Sequence, residues 1–303
     1  MRENINSYQR AGFGANGALW ISMLALLAGS VFAQSSVLLD QDFSIKDRAV
    51  QNLPSSAAWY FGGNGSGAGA SAFDGSLQVN VGEPSKGVEV SAYLTEPDSP
   101  VTLAVGDSVT LSFDLTFGTL GASAANGLNV GIFNSGGKRL TKDSAALLGQ
   151  NSAFSDWTGY ACYSRIGNIK TVSGAILVKE RVGGTFTLFS GNAANVADLA
   201  ASDVAGNSLI GGKSYAGNCI TITRTERGVA IFGQIGSNTF SAEDCAGAFD
   251  SFDAIAFGSN AGIADGSYFK LDNIKVSVNR KSAILVGSVS ADVPADAERG
   301  LGV

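Results

Sequence analysis

The sequence predicts an all-β fold, a sandwich of two antiparallel sheets, on three observations. Residues 107–117, DSVTLSFDLTF, alternate without a break: Val109, Leu111, Phe113, Leu115 and Phe117 are apolar, and Thr110, Ser112, Asp114 and Thr116 are polar. Side chains alternate faces along a strand, so one side of this run buries its apolar groups while the other meets water. Second, short apolar runs recur along the chain between turns supplied by its 40 glycines, a spacing that belongs to sandwiches and barrels. Third, past the N-terminus almost no stretch carries a helical period. The run 107–117 is the expected central strand.

Composition excludes several functions. A formal charge of −6 lacks the basic footprint of a nucleic-acid binder. The chain has no histidine, which removes Ser-His-Asp and Cys-His catalysis and histidine-ligated zinc. Carboxylate, tyrosine, lysine and arginine chemistry remain open.

The N-terminus reads as an export signal. Arg2 and Arg10 precede the apolar run 18–28, ALWISMLALLA, which ends in the small residues of 29–33. The run falls short of the ~20 residues a membrane span needs, so residues 1–33 are expected to be a cleaved signal peptide, with a mature chain from Gln34 that is secreted or held at the cell surface and does not span a membrane.

The sandwich is expected over residues 34–280. Residues 37–43 form a first strand, and 44–75 a loop containing the glycine-rich run 62–67. Strands follow at 76–81, 87–94, 107–117 and 128–134, with a turn at 135–138 and a short helix near 144–148. An aromatic-rich strand occupies 157–166. Residues 175–180 and 185–190 flank Gly183-Gly184 as a hairpin, and 195–207 read as a loop. A second hairpin joins 219–224 to 229–235 across Glu226-Arg227-Gly228. Strands at 252–257 and 268–278 close the domain, with a bulge at Asp272-Asn273. Residues 281–303 are polar and are expected to be a disordered tail.

The three cysteines, Cys162, Cys219 and Cys245, all lie in the exported part. Outside the cytoplasm two of them would pair. The shorter loop favours Cys219–Cys245, with Cys162–Cys219 as the alternative; the odd one is a buried thiol.

Sugars stack their C–H faces on aromatic rings and bind fork-like donors through their hydroxyls. Candidate glycan contacts are therefore Trp157, Tyr160, Tyr163 and Arg165 on the aromatic-rich strand, and Trp59 and Tyr60 before the glycine run. The competing reading is that these rings fill the core. Asp272 with Asp42 or Asp40 could form a calcium site, because first and last strands of a sandwich often pair and clustered carboxylates suit a hard cation. Alternatively, Asp272 caps the bulge through its own backbone.

The stretches FDAIAFGSN (252–260) and YFKLDNIKV (268–276), with the hairpin ITITR (220–224) and GVAIF (228–232), resemble the closing strands of concanavalin A-like jelly rolls, the lectin/glucanase and laminin-G-like domains of secreted bacterial proteins. The resemblance implies a two-sheet jelly roll and raises the expectation of a structural calcium. Its enzymes fit less well. The glucanase Glu-x-Asp-x-x-Glu strand is missing, and opposed carboxyl pairs are what glycosidases need. Against the alginate-lyase pattern, Arg224, Arg227, Gln234, Tyr268 and Lys270 align, but Gly236 stands where that pattern has histidine. The expected function is a secreted, non-catalytic jelly roll that binds extracellular or cell-wall polysaccharide. The alternatives are a structural surface or matrix protein without a small ligand, and a polysaccharide lyase or hydrolase of the same fold.

Overall fold

The structure, a computed structural model, describes residues 34–281 except 45, 64, 84–86, 119–126, 145–150, 165–175, 190–193, 202–208 and 260–266. The expected signal peptide, most of the expected tail, most of the short helix and Arg165 lie outside the described residues. In chain order the strands are β1 (Gln34–Gln41), β2 (Trp59–Gly63), β3 (Gly69–Phe73), β4 (Ser76–Asn80), β5 (Val88–Tyr93) and β6 (Val101–Thr102). The run continues with β7 (Ser108–Phe117), β8 (Leu128–Asn134), β9 (Thr158–Ser164), β10 (Ile176–Arg181), β11 (Val196–Ala201) and β12 (Ser214–Arg224). It closes with β13 (Val229–Ile235), β14 (Asn238–Asp244), β15 (Ser251–Phe252), β16 (Ala254–Ser259) and β17 (Tyr268–Arg280). A 3₁₀ turn spans Ser152–Asp156.

Two antiparallel sheets carry the fold, which is a jelly-roll sandwich. One runs β14-β13-β12-β7-β17-β4-β3, with β1 on the far half of β17; the other runs β11-β10-β9-β8-β16-β5-β2. β7 sits mid-sheet between β12 and β17, and every second residue is buried along its whole length. Its inward residues Val109, Leu111, Phe113, Leu115 and Phe117 face Val90, Val130, Ile132, Phe257 and their neighbours in one core between the sheets. Phe113 meets Phe257 edge-on at 5.0 Å. Asp107 anchors the end of β7: Ala104 N–H, the Arg280 guanidinium and Lys281 N–H donate to its carboxylate at 3.1, 2.7 and 2.8 Å.

β17 pairs along its start with β4 and along its end with β1, so first and last strands do lie together. The register shift against β7 falls between Asp272 and Lys275, and Asn273 takes the left-handed conformation there. This is the expected bulge. The hairpin β12–β13 also forms where the sequence placed it.

Three expectations are corrected. Residues 44–75 contain β2 and β3, which are the edge strands beside β5 and β4 of the two sheets. Residues 185–189 do not return as a strand beside β10; that place is taken by β11, from the stretch read as a loop. The reason is Arg181, which is buried and donates to the carbonyls of Thr185 and Thr187 at 2.9 and 2.7 Å, coiling the chain back over the sheet.

The expected Cys219–Cys245 bridge is not made, and all three cysteines are free. Cys219 pairs with Gln234 on β13, Gln234 pairs with Thr239 on β14, and Cys245 lies beyond the end of β14. Two strand spacings and that run of chain separate the pair by on the order of 20 Å, far past the ~7 Å Cα separation that a disulfide tolerates. Cys162 is buried in the core, and burial pushes its thiol far up.

Candidate functional site

The outer face of the seven-stranded sheet has a floor of small residues. Ser91, Ala256, Gly131 and Ala161 lie in one row across β5, β16, β8 and β9. The rings above explain the small floor. A Cβ on Gly131 would stand 2.3 Å from the Phe133 ring, and one on Gly258 2.8 Å from the ring of Phe189. Phe133, Phe154, Trp157, Leu188 and Phe189 are buried there in a second apolar cluster. Trp157 meets Phe154 edge-on at 5.0 Å and donates its indole N–H to the Lys138 carbonyl at 2.9 Å.

Two charged groups are buried on this face. Arg181 donates to the carbonyls of Phe154, Thr185 and Thr187, and its Nε has no partner among the described residues. Glu89 is 2% exposed, and its Oε2 has no partner among the described residues. Burial pushes its carboxyl up to about 8, against the downward pull of Arg181.

These facts place the expected aromatic contacts. Trp157 is wholly buried in the outer cluster. Trp59 is wholly buried between the sheets against Phe43 and Phe257, with its indole N–H on Gln41 Oε1 at 2.8 Å. Tyr160 points inward from β9. Tyr163 points outward and is half-buried, with Lys179 Nζ 5.3 Å from its ring centre. An odd separation puts Tyr160 and Tyr163 on opposite faces, so they form no common platform. Tyr60 is half-buried, its ring tilted on Tyr93 at 5.7 Å.

The open part of this side is a pair of adjoining grooves on either wall of residues 141–143. The larger, about 600 Å³, lies between this strap and the 3₁₀ turn, with Phe186 at its mouth, 49% exposed. The smaller, about 370 Å³, is lined by Tyr60, Arg48 and Asp47. The strap is fixed to β2: Phe61 N–H donates to Asp143, and Ser144 exchanges backbone hydrogen bonds with Phe61 and Gly63. Arg48 forks onto the Asp143 carboxylate. Burial pushes Asp143 up, but Arg48 and the Phe61 N–H outweigh it and hold the carboxyl below its usual range. Lys138 pairs with Asp156 at 2.7 Å and Arg139 with Asp253 at 3.1 Å. Lys142 is exposed between the grooves, with no ion-pair partner among the described residues. Of the candidate glycan contacts, Tyr60 and Trp59 line the smaller groove, Trp59 with its side chain buried between the sheets. Asp143 and Phe186 lie outside any strand, and alternation gives no signal for them.

On the opposite sheet, Asp272 and Asp114 stand side by side across the β17–β7 ladder. Burial raises Asp272, the Asn273 N–H lowers it, and Asp114 and Asp42 raise it further. The structure thus brings Asp42 and Asp272 within electrostatic reach and adds Asp114, which its outward place on the central strand could have signalled. Asp40 is taken by Lys275 at 2.7 Å. Each carboxylate already accepts N–H bonds: Asp42 from Ser44, Asp114 from Gly217 and Asn273, Asp272 from Asn273. Among the described residues, no group of three or more Cys, Asp or Glu side chains is arranged to hold a metal ion. Among the same residues, no helix is long and apolar enough to cross a membrane.

No family model matches the sequence, and no curated protein matches it. Among solved structures, the fold is similar to the metal-free carbohydrate recognition domain of Emp46p, at 14% identity over 75% of this chain and 89% of that one, TM-score 0.43. It is similar to the VIP36 exoplasmic/lumenal domain solved with Ca2+ and Man3GlcNAc, at 9% identity over 79% and 88%, TM-score 0.44. It is also similar to a legume lectin-like domain from Entamoeba histolytica, at 11% identity over 74% and 91%, TM-score 0.40.

Proposed function

We propose that the protein is an exported, non-catalytic jelly roll that binds an extracellular or cell-wall glycan in the twin groove around Tyr60. The observation that carries this reading is the groove pair itself: sugar-sized space with exposed faces of Tyr60 and Phe186 on its walls and fixed polar groups between them. Aromatic faces take sugar C–H surfaces, and a few fixed polar groups orient hydroxyls. Asp143 is locked by Arg48, so it serves as a hydrogen-bond acceptor rather than an acid or base. The basic and apolar pattern of residues 1–33 supports export. Calcium belongs to the same proposal as a structural ion at Asp42 and Asp272, where burial raises Asp272, the like charges of Asp114 and Asp42 add to it, and a hard cation would relieve those charges.

A second reading, a structural surface or matrix protein, is favoured by one observation. Trp59 and Trp157 are spent on the two cores, and the outer face of the eight-stranded sheet carries hydroxyls, with Thr110 and Thr221 hydrogen-bonded at 3.0 Å.

Retention of the full chain on a panel of plant, algal and bacterial polysaccharides, with calcium and with chelator, separates the two. Selective retention without product release is expected. Tyr60→Ala should weaken it about tenfold, the loss of one stacking contact, with the far-UV spectrum unchanged. Retention on none of them sinks the glycan reading in favour of the structural one, and release of oligosaccharide revives an enzyme. Weaker retention in chelator supports the ion.

A further inference from the structure

The inside of the sandwich holds two acidic side chains that the glycan reading does not use. Glu180 is an inward residue of β10 and is 7% exposed; Asp244 is the last inward residue of β14 and is 3% exposed. They come from different sheets and meet where β14 approaches β10 and β11. Tyr160 stands between them. It is the register partner of Glu180 on β9, and its hydroxyl donates to Asp244 Oδ2 at 2.8 Å. The corner is completed by backbone: Phe249 N–H donates to the Tyr160 hydroxyl at 2.8 Å and Ala246 N–H to Asp244 Oδ1 at 3.0 Å.

No described cation neutralises this pair. Neither carboxyl takes part in an ion pair among the described residues. Lys179 and Arg181 flank Glu180 in sequence but point to the other face of β10. The partner of Glu180 on β11 is Ala197, and that of Asp244 on β13 is Val229. Arg224, at the adjoining end of β12, is engaged by Asp250 at 3.4 Å and the Gly228 carbonyl at 2.7 Å. Two buried carboxylates side by side without a cation repel strongly; one shared proton turns the repulsion into a hydrogen bond.

We infer that Glu180 and Asp244 form a proton-held clasp between the two sheets, which pins the edge strand β14 and residues 245–250 and releases them when the surroundings turn alkaline. Burial is the main cause that pushes Glu180 up to about 7, and the Asp244 carboxylate adds to it. A carboxyl whose value rises on folding holds a proton in the folded chain that the unfolded chain has lost. The clasp is therefore fully effective below the ordinary value of 4.5 and is lost as pH rises through about 7.

The test is urea unfolding of the full chain at pH 5, 6, 7 and 8, with backbone amide exchange of residues 238–249 over the same range. Between pH 5 and 8 the unfolding constant of the wild type should rise roughly tenfold more than that of Glu180→Gln, a figure already discounted for solvent screening, with Glu89 adding to the rise in both. Protection of 238–249 should fall beyond the intrinsic base catalysis of exchange. Glu180→Gln should match the wild type at pH 5, exceed its stability at pH 8 and keep 238–249 protected throughout; Asp244→Asn should act alike. Glu89→Gln also flattens the unfolding profile but leaves exchange at 238–249 as in the wild type. Equal pH slopes in wild type and Glu180→Gln, or protection of 238–249 that does not change with pH, overturns the clasp. The exchange measurement on the wild type needs no variant to fold.

Discussion

The two apolar clusters of this protein lie on opposite faces of one sheet and are built by different rules. Between the sheets, strands supply one residue in two, and Phe113, Phe257 and Trp59 interlock across the gap. On the outer face, the strands contribute Ala161, Ala254 and Ala256 beside the rings of Tyr93 and Phe133, and the rest of the filling comes from Leu140, Phe154, Trp157, Leu188 and Phe189, outside the strands. The first cluster is held by regular pairing on either side. The second depends on loops, and its polar fixings converge on Arg181. A sheet face that reads as small and featureless can thus be as dry as the core.

The comparison breaks most easily with the largest side chains. Phe113→Ala should cost about 3–5 kcal/mol, the transfer and cavity terms of a buried ring, and lower the cooperative unfolding of the whole sandwich. Trp157→Ala removes as large a ring, but its cluster can open while the strands stay paired. Limited proteolysis should then cut within 182–195 before urea unfolds the sheets. If Trp157→Ala instead lowers the single global transition with no early cleavage, the two clusters are one cooperative unit.

The difference also explains what was legible in the sequence. Residues 107–117 form a central strand as expected, and the hairpin at 219–235 and the bulge after Asp272 form too, because period two and turn residues are local signals. Residues 182–189 misled. Gly183-Gly184 is a good hairpin turn, and local preference cannot see a buried arginine collecting carbonyls four and six residues on. The candidate site suffered most. An aromatic-rich strand looks the same whether its rings face a ligand or a covering loop, so the pattern points to Trp157 and Tyr160 and not to the loop residue Phe186. Tyr60 could be marked because it precedes a glycine-rich run, yet what opens beside it is the strap at 141–143, distant in sequence.

Arg181 sharpens the contrast at intermediate size. Arg181→Met keeps the stem and removes the three hydrogen bonds to Phe154, Thr185 and Thr187. The carbonyls regain partners only if water enters, so a loss of about 2 kcal/mol is expected. Arg181 is also the group that lowers Glu89. Without it the Glu89 carboxyl should hold its proton to higher pH, and the stability lost on raising pH should end later than in the wild type. Urea midpoints from pH 6 to 9 check both effects. An unchanged pH profile would mean that Arg181 serves the loop alone.

The smallest expected effect is the most local. Gly258→Ala places a methyl 2.8 Å from the Phe189 ring, too close without a shift, and overpacking of this kind costs about 1 kcal/mol or more. The backbone at 258 is not left-handed, so the loss comes from the ring. Gly69→Ala is the matched control, a strand glycine with nothing within 4 Å of the new methyl, and it should change the urea midpoint little or raise it slightly. If the second cluster is held as loosely as its loops suggest, Phe189 moves aside and Gly258→Ala costs well under 1 kcal/mol. A cost above 2 kcal/mol would show that loops can pack a sheet face as tightly as strands pack the core.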